Sequence, residues 1–132
     1  MTKEVVYLPA ESTVDEAARA MRERDIGDVV VTEGPQLAGL VTDRDIVVRA
    51  VADGRDPTST RIGEIASRDI IMIDENAYAA DAAELMRDRA VRRLLVSDSD
   101  RRLVGIVSLG DLAIQMDPAS ALSEISSKAP NN

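Results

Sequence analysis

The sequence predicts a mixed α/β fold made of two copies of one βαββα unit, and three observations carry that reading. The chain is written twice: Gly39-Leu40-Val41-Thr42-Asp43-Arg44-Asp45 returns as Gly105-Ile106-Val107-Ser108-Leu109-Gly110-Asp111, sixty-six positions on. Upstream, Ala17-Ala18-Arg19-Ala20-Met21-Arg22 faces Ala82-Ala83-Glu84-Leu85-Met86-Arg87 at an offset of sixty-five, so one residue has been inserted between the matching blocks. Each copy then alternates short apolar runs with stretches of helical period, the pattern of strands joined through helices. Finally, 132 residues at 45% hydrophobic content support a real core, and with no Phe or Trp and only two Tyr that core is aliphatic. A unit of about sixty residues buries only about 60% of its unfolded surface, so it gains most by packing on its twin.

In the first copy Val5-Val6-Tyr7-Leu8 reads as a lead-in strand. Thr13 and Glu16 have capping-box spacing, and Val14, Ala17, Ala18 and Met21 share one helical stripe, which predicts a helix to about Arg24. Val29-Val30-Val31-Thr32 and Leu37-Ala38-Gly39-Leu40-Val41 are two strands around the Glu33-Gly34-Pro35-Gln36 turn. A second helix is expected over about Asp43 to Ala52. In the second copy Ile70-Ile71-Met72-Ile73 is the lead-in strand, and Ala79, Ala82, Ala83 and Met86 repeat the helical stripe. Asn76 is the expected cap there, because Tyr78 stands where Thr13 stood. Leu94-Leu95-Val96-Ser97 and Leu103-Val104-Gly105-Ile106-Val107 form the hairpin, and a last helix runs from Leu109 to about Met116. The polar stretch Gly54 to Thr60 reads as the linker. The expected organisation is thus residues 1–60 for the first motif with its linker, 61–118 for the second, and 119–132 for a C-terminal tail.

Composition removes several classes of function. The absence of Cys gives no sign of an oxidising compartment, and no apolar stretch approaches the length of about 18 residues that a membrane helix needs. Met1-Thr2-Lys3-Glu4 has no signal-peptide pattern, so the expected location is the cytoplasm, with no membrane partner. Without His or Cys the commonest general base, metal ligand and thiolate nucleophile are missing. A net charge of −8 disfavours nucleic acid as a partner. Neither Gly-x-x-x-x-Gly-Lys-Ser/Thr nor Gly-x-Gly-x-x-Gly occurs, so an enzyme is not expected.

A duplicated βαββα unit of this length, with Gly-aliphatic-aliphatic-Thr/Ser-x-x-Asp closing each hairpin, resembles the cystathionine β-synthase (CBS) domain. The likeness spans nearly the whole chain. Thr42-Asp43-Arg44-Asp45-Ile46-Val47-Val48-Arg49-Ala50 and Val91-Arg92-Arg93-Leu94-Leu95-Val96 are similar to small stand-alone bacterial CBS pairs, including those described as hypoxic response proteins. The resemblance implies two CBS motifs packed with pseudo-twofold symmetry as a Bateman module, which pairs again into a homodimer. It also implies clefts that take AMP, ADP, ATP, S-adenosylmethionine or an NAD derivative as ligand, with no cofactor required. In the family the acidic residue holds the ribose hydroxyls and the Thr or Ser contacts ribose or phosphate, roles that fall here on Asp45 with Thr42 and on Asp111 with Ser108.

That chemistry is sensible in itself. A helix start offers free N–H groups to a phosphate, and a carboxylate accepts two charge-assisted hydrogen bonds from a ribose diol. The same Thr/Ser-x-x-Asp spacing is also an acidic N-cap, and both readings stand together. Arg92 and Arg93 open a strand of the second copy where the first has Gly27 and Asp28, so the two clefts are inequivalent. Either arginine, with Arg44, is a candidate for neutralising a phosphate, and the alternative is a solvated cluster of Arg87, Arg89, Arg92 and Arg93 with nearby carboxylates. Asp28 would repel phosphate, which favours a single occupied site. Ile26 and Val91, with Val29, sit where the family packs an adenine ring, and core packing is the plainer use of each. The expected function is therefore a regulatory, non-enzymatic sensor of adenine nucleotides acting on an effector protein that the sequence does not name. The alternative is an interaction or assembly module whose clefts are empty.

Overall fold

The computed structural model describes residues 4–114 and 121–122. Its contacts divide the chain into two compact units, Val6–Ile70 and Ile71–Asn132 with Met1–Val5. In the first unit the order is β1 (Tyr7–Pro9), α1 (Val14–Arg24), β2 (Asp28–Glu33), β3 (Gln36–Thr42) and α2 (Asp43–Asp45), which continues as a π-helix over Ile46–Val51. The second unit repeats it with β4 (Met72–Asp74), α3 (Ala79–Arg89), β5 (Arg93–Ser97), β6 (Leu103–Ser108) and α4 (Leu109–Ile114). The βαββα expectation holds in both copies. The lead-in strands fall about two residues later than the apolar runs suggested, because parallel pairing aligns Tyr7 with Val30 and Met72 with Leu95.

Each unit is a three-stranded sheet with a parallel and an antiparallel pair, in the orders β1-β2-β3 and β4-β5-β6. In the first, Val29 and Val31 meet Val14, Ala17 and Met21 of α1 in one aliphatic cluster, joined by Ile26, Val41, Ala50, Ile62 and Ile65. The second cluster repeats it with Leu94, Val96 and Val107 against Ala79, Ala82 and Met86, with Leu112 and Leu122. Ala at the closest helix positions lets helix and sheet approach, and Val on the strands suits a pleated surface buried on both faces. Ile62 and Ile65 follow the linker yet fill the first core, so the packing unit runs on to Ile70, past the repeat boundary at residues 60 and 61.

Both helix starts differ from the expected caps. Thr13 is the N-cap of α1, but its hydroxyl donates to the Asp15 carboxylate, so no Thr13–Glu16 capping box forms. The first helical N–H groups turn instead to the linker: Val14 N donates to Thr60 O at 2.9 Å and Asp15 N to Pro57 O at 3.0 Å. Tyr78, not Asn76, is the N-cap of α3, and its N–H donates to Asp81 Oδ2 at 3.3 Å. Asn76 instead sits in a turn in which its own N–H donates to Asp74 Oδ1 at 2.8 Å. Beyond Asp45 the second helix widens, with Ala52 N donating to Val47 O and Arg55 N to Ala50 O, both at 2.9 Å and both five residues back. That winding buries Ala50 and leaves Val47, Val48 and Val51 exposed.

Candidate functional site

The Thr/Ser-x-x-Asp element of each copy sits where the last strand turns into the second helix, and in both it forms a reciprocal cap. Thr42 Oγ1 accepts from Asp45 N at 3.0 Å while Thr42 N donates to Asp45 Oδ2 at 2.9 Å. Ser108 Oγ accepts from Asp111 N at 3.1 Å and Ser108 N donates to Asp111 Oδ2 at 2.8 Å. Capping is therefore realised twice, and it engages one carboxylate oxygen of each Asp. The two differ beyond that. Asp45 Oδ1 lies 3.8 Å from Arg49 Nε, and Arg49 Nη1 also donates to Ile65 O at 3.2 Å. Sequence reasoning passed over Arg49, although its i,i+4 spacing from Asp45 was readable. Asp111 is buried at 7% exposure, deeper than Asp45, which is half-buried.

The opening residues of the middle strand lie beside these caps. Asp28 is register partner to Thr42, and Arg93 to Ser108. One residue earlier, Gly27 O accepts from Asp43 N at 3.0 Å and Arg92 O from Leu109 N at 2.8 Å. The backbone thus superimposes the two copies position by position, and the side chains reverse the charge. The first copy holds Gly27, Asp28, Asp43, Arg44 and Asp45, three carboxylates and one guanidinium, for a formal −2. The second holds Arg92, Arg93, Leu109, Gly110 and Asp111, two guanidiniums and one carboxylate, for a formal +1. Asp28 is buried and Arg93 half-buried, while Arg44 and Arg92 are exposed.

Ile26 is buried in the first core beside Met21, Val29 and Val31, so its side chain is a packing residue. Val91 is only half-buried and borders an open pocket of about 450 Å³ in the second unit. The pocket's other lining residues are Ala83, Met86 and Arg87 of α3, Ala90 at its end, Arg92 and Leu109. Arg92 and Val91 are thus brought together, whereas Arg93, Ser108 and Asp111 gather at the neighbouring strand end. Arg87, one of the clustered arginines, and Leu109, inside the repeated motif, also line this surface, although neither was a site candidate in the sequence. Ala90, in the left-handed region at φ 54°, turns the chain from α3 toward the strand, as Asp25 does at φ 53° after α1.

The family model for the CBS domain matches twice, at residues 1–51 and 62–116. The CBS domain-containing protein YhcV of Bacillus subtilis is 38% identical over 133 residues, covering 100% of this chain and 94% of that protein. Hypoxic response protein 1 of Mycobacterium tuberculosis is 39% identical over 114 residues, covering 86% of this chain and 79% of the relative. A solved structure of hypoxic response protein I with two coordinated zinc ions matches with a TM-score of 0.66 at 37% identity, over 87% of this chain and 94% of that one. A hexameric CBS-CP12 protein from bloom-forming cyanobacteria matches with a TM-score of 0.79 at 28% identity, over 89% and 68% of the two chains. This chain belongs to the CBS domain family and carries two CBS domains in tandem. Proteins of this kind are regulatory or interaction modules.

Proposed function

We propose that this CBS pair is a non-enzymatic regulatory module that binds an adenine nucleotide or related adenosyl compound in its second motif, and that the first motif is not a phosphate-accepting site. The observation that carries this is the reversal of charge at matched backbone positions, −2 around Asp45 and +1 around Asp111. Arg93 stands directly across from Ser108, one turn from Asp111, so a cation for phosphate and an acceptor for a sugar diol lie at one strand end. In a protein of net charge −8 this is a local exception. Ligand would compete with the cap for Asp111. AMP, ADP, ATP, S-adenosylmethionine and an NAD derivative all present the ribose diol, and those with phosphate gain most from Arg92 and Arg93.

In this reading the module works as a homodimer in the cytoplasm on an effector protein; of these, self-association alone has support from a neighbour, the hexameric CBS-CP12 protein. Zinc is not carried over from hypoxic response protein I, because this chain has no His or Cys to donate nitrogen or sulfur. Two observations favour an interaction module instead: both motif carboxylates already serve as caps, and Val47, Val48 and Val51 are exposed. Thermal unfolding with millimolar AMP, ADP, ATP, S-adenosylmethionine and NADH separates the two. A ligand present at about 100 times its dissociation constant stabilises by about 2.7 kcal/mol, several degrees for a chain of this size. The proposal predicts a shift for at least one compound that Arg93→Ala abolishes. No shift with any of them favours the interaction module.

A further inference from the structure

The open pocket of the second unit is lined mainly by apolar side chains, with Leu109 50% exposed at its edge. Its two charged lining residues, Arg87 and Arg92, are both cations and both exposed. Arg93, across from Ser108 in the proposed nucleotide site, is not among the lining residues. The first unit has the same backbone positions, at an offset of sixty-five before the hairpin turn and sixty-six after it. Arg87 corresponds to Arg22, Ala90 to Asp25, Arg92 to Gly27 and Leu109 to Asp43. The match is structural as well: Asp25 and Ala90 make the same left-handed turn, and Asp43 N and Leu109 N donate to Gly27 O and Arg92 O. Asp25 and Asp43 are exposed. Two guanidiniums give these positions a formal +2 in the second unit, whereas one guanidinium and two carboxylates give −1 in the first.

The helix that Asp43 opens carries a further exposed feature. Val47 and Val51, four and eight residues after Asp43, are 59% and 64% exposed, and Val48 is 46% exposed. Valine is a weak helix former, so three of them within five residues stabilise this segment only when something covers them. We propose that a second copy of this chain does so, its second-unit pocket receiving the helix over residues 43–51 of the first unit, a head-to-tail pairing of motifs. The proposal rests on the self-association in the reading above and assigns its surface and direction. Head-to-tail contact sets Arg87 and Arg92 of one copy against Asp25 and Asp43 of the other and brings the valines to the apolar lining. First unit against first would oppose Asp25 and Asp43 with their own copies, and second against second would do the same with Arg87 and Arg92. Like charges brought together disfavour both of those arrangements.

The chain has no Cys, so single introduced cysteines report neighbours without background. Full-length Val47→Cys and Leu109→Cys chains carrying different tags are co-expressed and treated with a short bismaleimide. The proposal predicts linked dimers that hold one chain of each kind, and far less linking in either variant prepared alone. Self-linking of either variant at or above the mixed yield overturns the head-to-tail pairing, and so does a co-expressed pair that does not link. A charge exchange gives a second readout. Arg92→Glu should weaken association about tenfold, and adding Asp43→Arg should restore most of it; no recovery counts against the pairing. Light scattering of the wild type keeps the two failures apart. A monomer overturns the self-association itself, whereas a dimer whose cysteine variants link only to themselves overturns its direction alone.

Discussion

Asp45 and Asp111 each bind the backbone of the residue three positions back, and that local contact is the first thing a substitution would disturb. Asn at either position keeps the shape and weakens the charge-assisted half of the cap, so Asp45→Asn and Asp111→Asn should each cost about 1 kcal/mol of stability, read by urea unfolding. Ala90 carries a different strain. Its φ of 54° is a left-handed conformation that disfavours any side chain with a Cβ, and Ala has no polar group to compensate. Ala90→Gly should stabilise by about 0.5–1 kcal/mol, and Asp25→Gly by less, because Asp tolerates that region better. A midpoint for Ala90→Gly at or below the wild type would show that the turn is not strained. The motif residues were legible in the sequence because their polar pattern occurs twice. Ala90 was not, because nothing in an alanine marks the backbone angle it is made to adopt.

At the scale of elements, the linker acts as the cap of α1. Its carbonyls at Pro57 and Thr60 take the first helical N–H groups, and Asp56 organises the turn by accepting from Thr58 N at 2.9 Å and Thr58 Oγ1 at 2.7 Å. The Thr58 bonds hold the Asp56 carboxyl below its ordinary range, and the Thr13 hydroxyl does the same to Asp15. A depressed carboxyl pKa contributes stability that is present above the unfolded value of about 4 and lost as pH falls through the lower folded value. The unfolding midpoint should therefore drop as pH falls from about 5 toward 2, and Asp56→Asn should flatten part of that slope. The strand edge gives a sharper case. Ser67 pairs with Leu40 through two hydrogen bonds of 2.9 Å, and a Cβ on Gly39 would stand 2.6 Å from Ser67 O. Gly39→Ala should thus cost about 1–3 kcal/mol by pushing the Ser67 bridge off the edge of β3. The periodicities of α1 and α3 and the hairpins were readable because apolar spacing alone sets them. The capping of α1 was not, since its partners are linker carbonyls some forty residues away whose side chains carry no signal.

The whole molecule is two near-copies of one backbone whose equivalent sites carry different charge. Duplication and the CBS family were legible from the repeated motif, and so was the contrast of Gly27-Asp28 with Arg92-Arg93. What the sequence did not disclose is which carboxylates and cations share a strand end, because that depends on the register placing Asp28 beside Thr42 and Arg93 beside Ser108. The register also adds Asp43 and Leu109 to the comparison, each tied by its N–H to the opening of the middle strand. A nucleotide phosphate should accordingly distinguish the two copies, and any signal requires that it bind one conformation of the module more tightly than another. Titration calorimetry of wild type, Arg93→Ala, Asp111→Asn and Asp45→Asn, with the nucleotide that gives the largest thermal shift, tests this most directly. The account predicts one ligand per chain, with affinity lost in Arg93→Ala, reduced in Asp111→Asn and kept in Asp45→Asn. Binding that survives Arg93→Ala and fails in Asp45→Asn, or no binding at all, would contradict it.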